Sequence, residues 1–258
     1  MKTLPSILIT NDDSIHAPGL RALIEAATGI GELFVVAPEN PQSGMGHAIT
    51  VTAPLRFHPI FSDNAHQEVA VSGTPVDCVK LGEKIIMRKR PDLLLSGINH
   101  GSNASINVMY SGTMAATLEG CMSGIPSVGF SLCDYSHDAN FEYAIPYVRD
   151  IIQKVLKHGL PDGVCLNVNI PAVKGEELKG YKVCRQGLGS WKEEFDERKD
   201  PRQRDYFWIT GRFNGYEMDE DTDNWALANN YISVVPVKFD LTAHQAMDHI
   251  KKMTNDVE

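Results

Sequence analysis

The chain has 258 residues, 43% hydrophobic and 22% charged, with a formal net charge of −9. This is enough for one large α/β domain, or for such a domain with an appendage. The acidic balance leaves no basic stripe to displace counterions, which excludes a nucleic-acid duplex as the main partner.

Ile7-Leu8-Ile9 reads as a short buried strand, followed by the polar run Thr10-Asn11-Asp12-Asp13. Leu20, Leu23, Ile24 and Ala27 follow helical spacing, with Pro18 placed for the first turn and Gly29 for the C-cap. Leu33–Ala37 is a second buried strand, stopped by Pro38. After the loop Pro41–Gly46, the segments Ala48–Thr52 and Leu55–Phe57 predict an antiparallel excursion. Val69–Val71 predicts a strand, and Thr74 caps a helix that starts at Pro75 and runs through Leu81. Asp92–Ser96 predicts a core strand. Thr113–Met122 predicts a small-residue helix ended by Gly124 and Pro126. Ser127–Leu132 is a strand. Ala144 to Leu156 is an amphipathic helix ended by Gly159, and Val164–Ile170 alternates as a strand. Beyond Arg185 the texture becomes polar and aromatic, with strands at Tyr206–Thr210 and Ile232–Val237 and a helix over Thr242–Met253.

This alternation predicts an α/β fold of three αβα layers. Its centre is a mostly parallel, Rossmann-like, doubly wound sheet, followed by a C-terminal β-hairpin arm and a terminal helix. The division expected is a catalytic core over 1–185 and, over 186–258, an arm, strand and helix for oligomerisation. Five cysteines, Cys78, Cys121, Cys133, Cys165 and Cys184, have no CxxC spacing and read as buried thiols of a reducing compartment. The apolar run after Lys2 is too brief for a signal peptide, and no run reaches membrane-spanning length. The expectation is a cytoplasmic protein with no membrane partner.

Doubly wound sheets gather their ligands at the C-terminal strand edge. Four loops that converge there carry unusual polar residues: Asn11-Asp12-Asp13, Gln42-Ser43-Gly44, Ser96 to Asn103, and Tyr110-Ser111-Gly112-Thr113. Alone, each has an ordinary structural reading as a helix cap or a turn. Together they offer two carboxylates, a hydroxyl and an amide oxygen, a hard donor set suited to Mg²⁺, Mn²⁺ or Ca²⁺ and poorly to zinc or copper. Adjacent carboxylates repel, which raises one pKa unless a cation neutralises the pair. Ser111, Gly112 and Thr113 open a helix, where backbone N–H groups and the helix dipole favour an anion, with Asn11 and Asn103 as neighbours. A divalent metal beside an anion site suits phosphoester hydrolysis by metal-activated water. His100 lies in the third loop but receives no catalytic role, and no side chain near the motifs stands out as a proton donor for the leaving group.

At these residues the chain resembles the stationary-phase survival protein E family, metal-dependent 5′(3′)-nucleotidases. The resemblance covers nearly the whole chain. It rests on Ile7–Gly19 (ILITNDDSIHAPG), Pro41–Thr50 (PQSGMGHAIT), Ser72–Val79 (SGTPVDCV), Ser96–Asn103 (SGINHGSN), Tyr110–Ala116 (YSGTMAA), and Asp221 to Val235 followed by Asp240-Leu241-Thr242. It implies that Asp12, Asp13, Ser43 and Asn99 hold one metal ion, Mg²⁺ or Mn²⁺, with Ca²⁺ possible in crystals. It further implies that nucleoside monophosphates are hydrolysed, with Asp12 and Asp13 catalytic, and that the enzyme is a homodimer or homotetramer with an exchanged C-terminal element. Two departures stand out: Ser14 and the Asn229-Asn230 pair occupy positions where the family usually has Gly.

Two other functions compete. A signalling receiver also gathers acids at the end of its first strand, but it needs a phosphoacceptor Asp at the end of a central strand, and Asp92 lies at the start of its strand. A nucleotide-binding regulatory protein without turnover is the other alternative, disfavoured by the open metal site.

Overall fold

The structure, a computed structural model, describes residues 4–214 and 216–255; Lys2 and the last three residues of the expected terminal region lie outside them. In chain order the elements are β1 (Ser6–Thr10), α1 (Pro18–Ala27), β2 (Glu32–Pro38), β3 (Phe57–Ser62), β4 (His66–Val71), α2 (Pro75–Leu81), β5 (Leu93–His100), α3 (Gly112–Met122), β6 (Ser127–Leu132), α4 (Ile145–His158), β7 (Val164–Ile170), β8 (Tyr181–Val183), β9 (Ser190–Lys199), β10 (Asp205–Asn214), α5 (Asp223–Ala228), β11 (Ile232–Lys238) and α6 (Met247–Asn255).

Nine strands form one sheet in the order β3-β4-β2-β1-β5-β6-β7-β11-β8. The six consecutive strands from β4 to β7 in that order run parallel, and β3 and β11 are antiparallel to their neighbours β4 and β7. From β1 the chain winds outward through β2 and β4, then returns to place β5, β6 and β7 on the other side. The switch point lies between β1 and β5, where the loops that follow the two strands open a crevice.

The strands are apolar on both sides because helices cover both faces. Ile7 and Ile9 of β1, with Leu93 and Leu95 of β5, point into the core shared with α1 and α4, whereas Leu8 and Leu94 point into the core beneath α2 and α3. All six are fully buried. Truncating one of them, such as Leu95→Ala, costs on the order of 2–5 kcal/mol through lost transfer energy and the cavity left behind.

The structure corrects several sequence-based expectations. Ala48–Thr52 forms no strand. The Asp77 carboxylate takes the Thr50 amide (3.1 Å) and hydroxyl (2.6 Å), so that amide is satisfied by a side chain instead of a ladder. Asp77 also completes a capping box with Thr74 at the start of α2. Thr28, not Gly29, is the C-cap of α1; Gly29 follows it at φ +81°. The terminal helix starts at Met247, not Thr242. Asp240 captures the Thr242 amide (2.9 Å) and the His244 ring (2.9 Å), diverting the chain through a 3₁₀ turn at His244–Ala246 before α6. The arm is a hairpin of two ten-residue strands, β9 and β10, which pair only with each other.

Both departures from glycine have a backbone meaning. Asn230 sits at φ +65°, in the left-handed region that Asn tolerates. Ser14 sits at φ +102°, where a side chain is strained, and the Asn11 side chain holds the turn by donating to the Ser14 carbonyl at 2.8 Å. Relief of strain worth ~1–3 kcal/mol outweighs the extra unfolded-state entropy of glycine, ~0.5–1 kcal/mol. Ser14→Gly is therefore expected to raise the thermal midpoint by a few degrees, as scanning calorimetry reads it. A lowered midpoint would refute the assignment of strain.

Candidate active site

The end of β1 and the start of α3 meet at Asp12. The residue is 4% exposed. The Thr113 hydroxyl donates to its Oδ1 at 2.5 Å, and a Cβ added at Gly112 would stand 2.8 Å from its Cβ, so the start of α3 can sit this close only without a side chain there. Ser111 caps the helix, its hydroxyl accepting from the Met114 amide at 3.0 Å. Asp13 is held from the β5 side: the His100 amide donates to its Oδ2 at 3.1 Å. A β-bulge between Ser96 and Asn99 lets β5 bend away from β6 at this point.

The other loops close on the same place. The Gln42 amide donates to the Asp12 carbonyl (2.7 Å) and the Gly46 amide to the Tyr110 carbonyl (3.3 Å), which fixes the loop bearing Ser43. His47 of that loop bonds the buried Glu119 of α3 at 3.0 Å, and Lys80 of α2 pairs with the same carboxylate. The Asn99 amide nitrogen donates to the Gly101 carbonyl at 2.7 Å, which leaves its oxygen as the end available to a ligand.

Asp12, Asp13, Ser43, Asn99, Asn103 and Ser111 all line one cavity of about 820 Å³, within the range of small-molecule sites. The remaining expected anion contacts sit differently. Thr113 is fully buried, and its hydroxyl serves Asp12. Asn11 is fully buried and ties Ser14; its Oδ1 has no hydrogen-bond partner among the described residues. His100 lines the cavity while its ring Nε2 is bound to the Ser136 carbonyl at 2.7 Å. Sequence reasoning missed the cavity residues Asn107, Tyr135, Trp191 and Glu193, together with Asp223, a fully buried carboxylate that accepts from the Ser105 and Gly187 amides (2.8 Å each). For Trp191 and Glu193 the sequence signal is their spacing of two on one strand.

Burial pushes the Asp12 carboxyl up to about 6; the neighbouring Asp13 adds to this, and the Thr113 hydroxyl partly offsets it. Burial also raises Asp13, against the His100 amide. Among the described residues no Lys or Arg lines the cavity. Two crowded carboxylates and a bound anion there would need a positive charge from elsewhere. The receiver reading finds no support: Asp92 sits at the opposite edge of the sheet, accepting from the Ser6 amide (2.7 Å) and hydroxyl (2.9 Å).

The family model "Survival protein SurE" matches residues 7–193. The chain belongs to the SurE family. A family relative from Flavobacterium psychrophilum named 5′-nucleotidase SurE is 56% identical over 244 residues, covering 94% of this chain and 95% of its own. One of the same name from Bacteroides thetaiotaomicron is 42% identical over 255 residues, covering 98% of each. The crystal structure of a SurE protein from Aquifex aeolicus, 42% identical, superposes with a TM-score of 0.83 and covers 97% of this chain and 100% of that one.

The raised Asp12 pKa makes this group's contribution to the stability of the metal-free SurE fold depend on pH. With a folded value above the unfolded one, the native state binds the extra proton, so the contribution of Asp12 is greatest below about pH 4 and is lost as pH rises through 6. A shift of this size corresponds to on the order of 2–3 kcal/mol. Asp12→Asn keeps an acceptor for Thr113 and removes the charge. It is expected to stabilise the metal-free protein at pH 8 by roughly 1–3 kcal/mol, with the gain shrinking toward pH 4.5 in urea titrations. A loss of stability at pH 8 would contradict this.

Proposed function

We propose that this protein is a divalent-metal-dependent phosphomonoesterase that hydrolyses nucleoside 5′-monophosphates, and in a second reading 3′-monophosphates, to nucleoside and phosphate. The observation that carries the proposal is the Asp12–Asp13 pair beside the Ser111 cap of α3, in a cavity of nucleotide size that no Lys or Arg of the described residues lines. The name 5′-nucleotidase borne by the relatives supports it.

The donor set fits a hard cation. A buried and a half-buried carboxylate, both with raised pKa values, seek a counter-charge, and the Ser43 hydroxyl and Asn99 oxygen complete an oxygen set that leaves room for water, as Mg²⁺ or Mn²⁺ prefers. Among the described residues no three His, Cys, Asp or Glu side chains gather in metal-binding range, in keeping with two carboxylates and neutral oxygens. When bound, the cation supplies Lewis-acid polarisation and a water of lowered pKa.

The residues around it do the rest. Asp12 and Asp13 hold the cation in their ionised forms. Thr113 and the His100 amide fix the orientation of each carboxylate. The Ser111 hydroxyl, whose oxygen already accepts from Met114, donates its proton to a phosphoryl oxygen. The amides of Gly112 and Thr113 add the positive end of the α3 dipole, and Asn103 approaches from the β5 side.

Turnover of adenosine 5′-monophosphate is expected to vanish in excess chelator and to return with Mg²⁺ or Mn²⁺. Asp13→Asn is expected to lose at least a thousandfold in kcat while remaining folded by circular dichroism. Undiminished phosphate release in chelator would overturn the metal reading. Ser111→Ala removes a charge-assisted hydrogen bond of about 1.5–3 kcal/mol, so kcat/KM falls about tenfold or more. Inorganic phosphate inhibiting both proteins equally would contradict that contact.

The oligomeric reading has its own support. A lone two-stranded ribbon is marginal in water, yet the arm exposes Phe195, Phe207, Trp208 and Ile209. Residues 1–185 then act as the catalytic core, and the arm and α6 of 186–258 pack on a second copy in a homodimer or homotetramer. The five free thiols fit the reducing cytoplasm, and no helix of the described residues is long and apolar enough to cross a membrane. Sedimentation at micromolar concentration is expected to give a dimer or tetramer. A monomer would refute the oligomer.

A further inference from the structure

The cavity has two ends. One holds the carboxylate pair. The other is walled by the arm. Trp191 and Glu193 lie two apart on β9 and so share a face; on β10, Phe213 stands opposite Trp191 and Gly211 opposite Glu193. Gly211 has φ +147°, and a Cβ there would lie 2.4 Å from the Lys192 carbonyl oxygen. That step of the face carries no side chain, which leaves a slot beside the indole.

The Trp191 ring is fixed without being covered. Its Nε1 donates to Asn107 Oδ1 at 2.9 Å, and it meets Phe213 edge-on, with centroids 5.5 Å apart and planes at 80°. Even so, 41% of the residue is exposed, and it lines the cavity together with Asp12 and Asp13. The root of the arm is fastened to the site as well: the buried Asp223 carboxylate takes the Gly187 amide on one oxygen and the Ser105 amide on the other. The indole is therefore held in place relative to the loop that follows β5.

A planar aromatic surface, oriented by hydrogen bonding at its edge, facing a cavity whose far end suits a phosphate, matches the shape of a nucleotide. Resting on the nucleotidase reading, we propose that Trp191 is the platform on which the nucleobase stacks, which makes the arm a specificity-determining part of the site. Stacking uses the π-face common to all bases, so this platform favours nucleotides over base-free phosphomonoesters and prefers the larger purines without reading a sequence of donors. Tyr206 and Trp208 lie on the opposite face of the hairpin, and Phe195 and Phe207 share the Trp191 face nearer the turn.

The test compares adenosine 5′-monophosphate with ribose 5-phosphate, which carries the same phosphate and sugar but no base, using the full-length protein with saturating Mn²⁺. Wild type is expected to prefer the nucleotide. Trp191→Ala is expected to raise KM for the nucleotide about tenfold, with kcat and both constants for ribose 5-phosphate within about twofold of wild type. Trp191→Phe, which keeps an aromatic face, is expected to recover most of the loss. An equal loss on both substrates, no loss on the nucleotide, or a sedimentation change that accounts for the loss would overturn the stacking role. A wild type that prefers nucleotide no more than ribose 5-phosphate would do the same while leaving the phosphatase reading intact. A wild type inactive on both would sink the nucleotidase reading, and this proposal with it.

Discussion

The structure turns on one electrostatic constraint. Two adjacent carboxylates, Asp12 and Asp13, are held at the switch point of a doubly wound sheet, with no Lys or Arg of the described residues lining the cavity they face. The fold does not relax their repulsion; it enforces it. Thr113 and the start of α3 grip Asp12 from one side, and the amide at the end of β5 grips Asp13 from the other. The fold compensates the penalty only in part, through hydrogen bonds and the positive end of α3. What remains is a standing preference for a cation, and beside it a helix N-terminus that prefers an anion. The chemistry of a phosphomonoesterase follows from placing those two preferences a few ångströms apart in a crevice that excludes bulk water only partly.

Much of this was legible in the sequence, because it is carried by local patterns. The strand cores announce themselves as apolar runs: both faces of β1 and β5 are buried, so Ile7, Leu8 and Ile9 read alike although they serve two different cores. The polar loops stand out because each follows such a run. Position 14 stood out as a departure from the family's usual glycine, but the sequence left open whether the loop kept its backbone angle; Ser14 keeps a positive φ.

Other features depend on partners distant in sequence and leave little local trace. Thr50 reads as part of a strand until Asp77 takes its amide. Thr113 reads as an anion contact until its hydroxyl is found on Asp12. Asp223 gives no local hint that it will fasten residues 105 and 187 together from the far end of the chain. The arm is the largest case. Its aromatics look like interface material, and the exposed Phe195, Phe207 and Trp208 keep that character, while Trp191, nearer the root of the hairpin, lines the cavity. A period of two separates the faces, but only the docking of the hairpin says which one looks inward.

The central claim is that the carboxylate pair holds a single divalent cation. Mn²⁺ titration followed by electron paramagnetic resonance tests it without reference to turnover, because free and bound Mn²⁺ give distinct signals. The account predicts one Mn²⁺ bound per chain in the wild type, displaced by Mg²⁺, and binding weakened at least a hundredfold in Asp13→Asn. Unchanged Mn²⁺ stoichiometry and affinity in Asp13→Asn would contradict it.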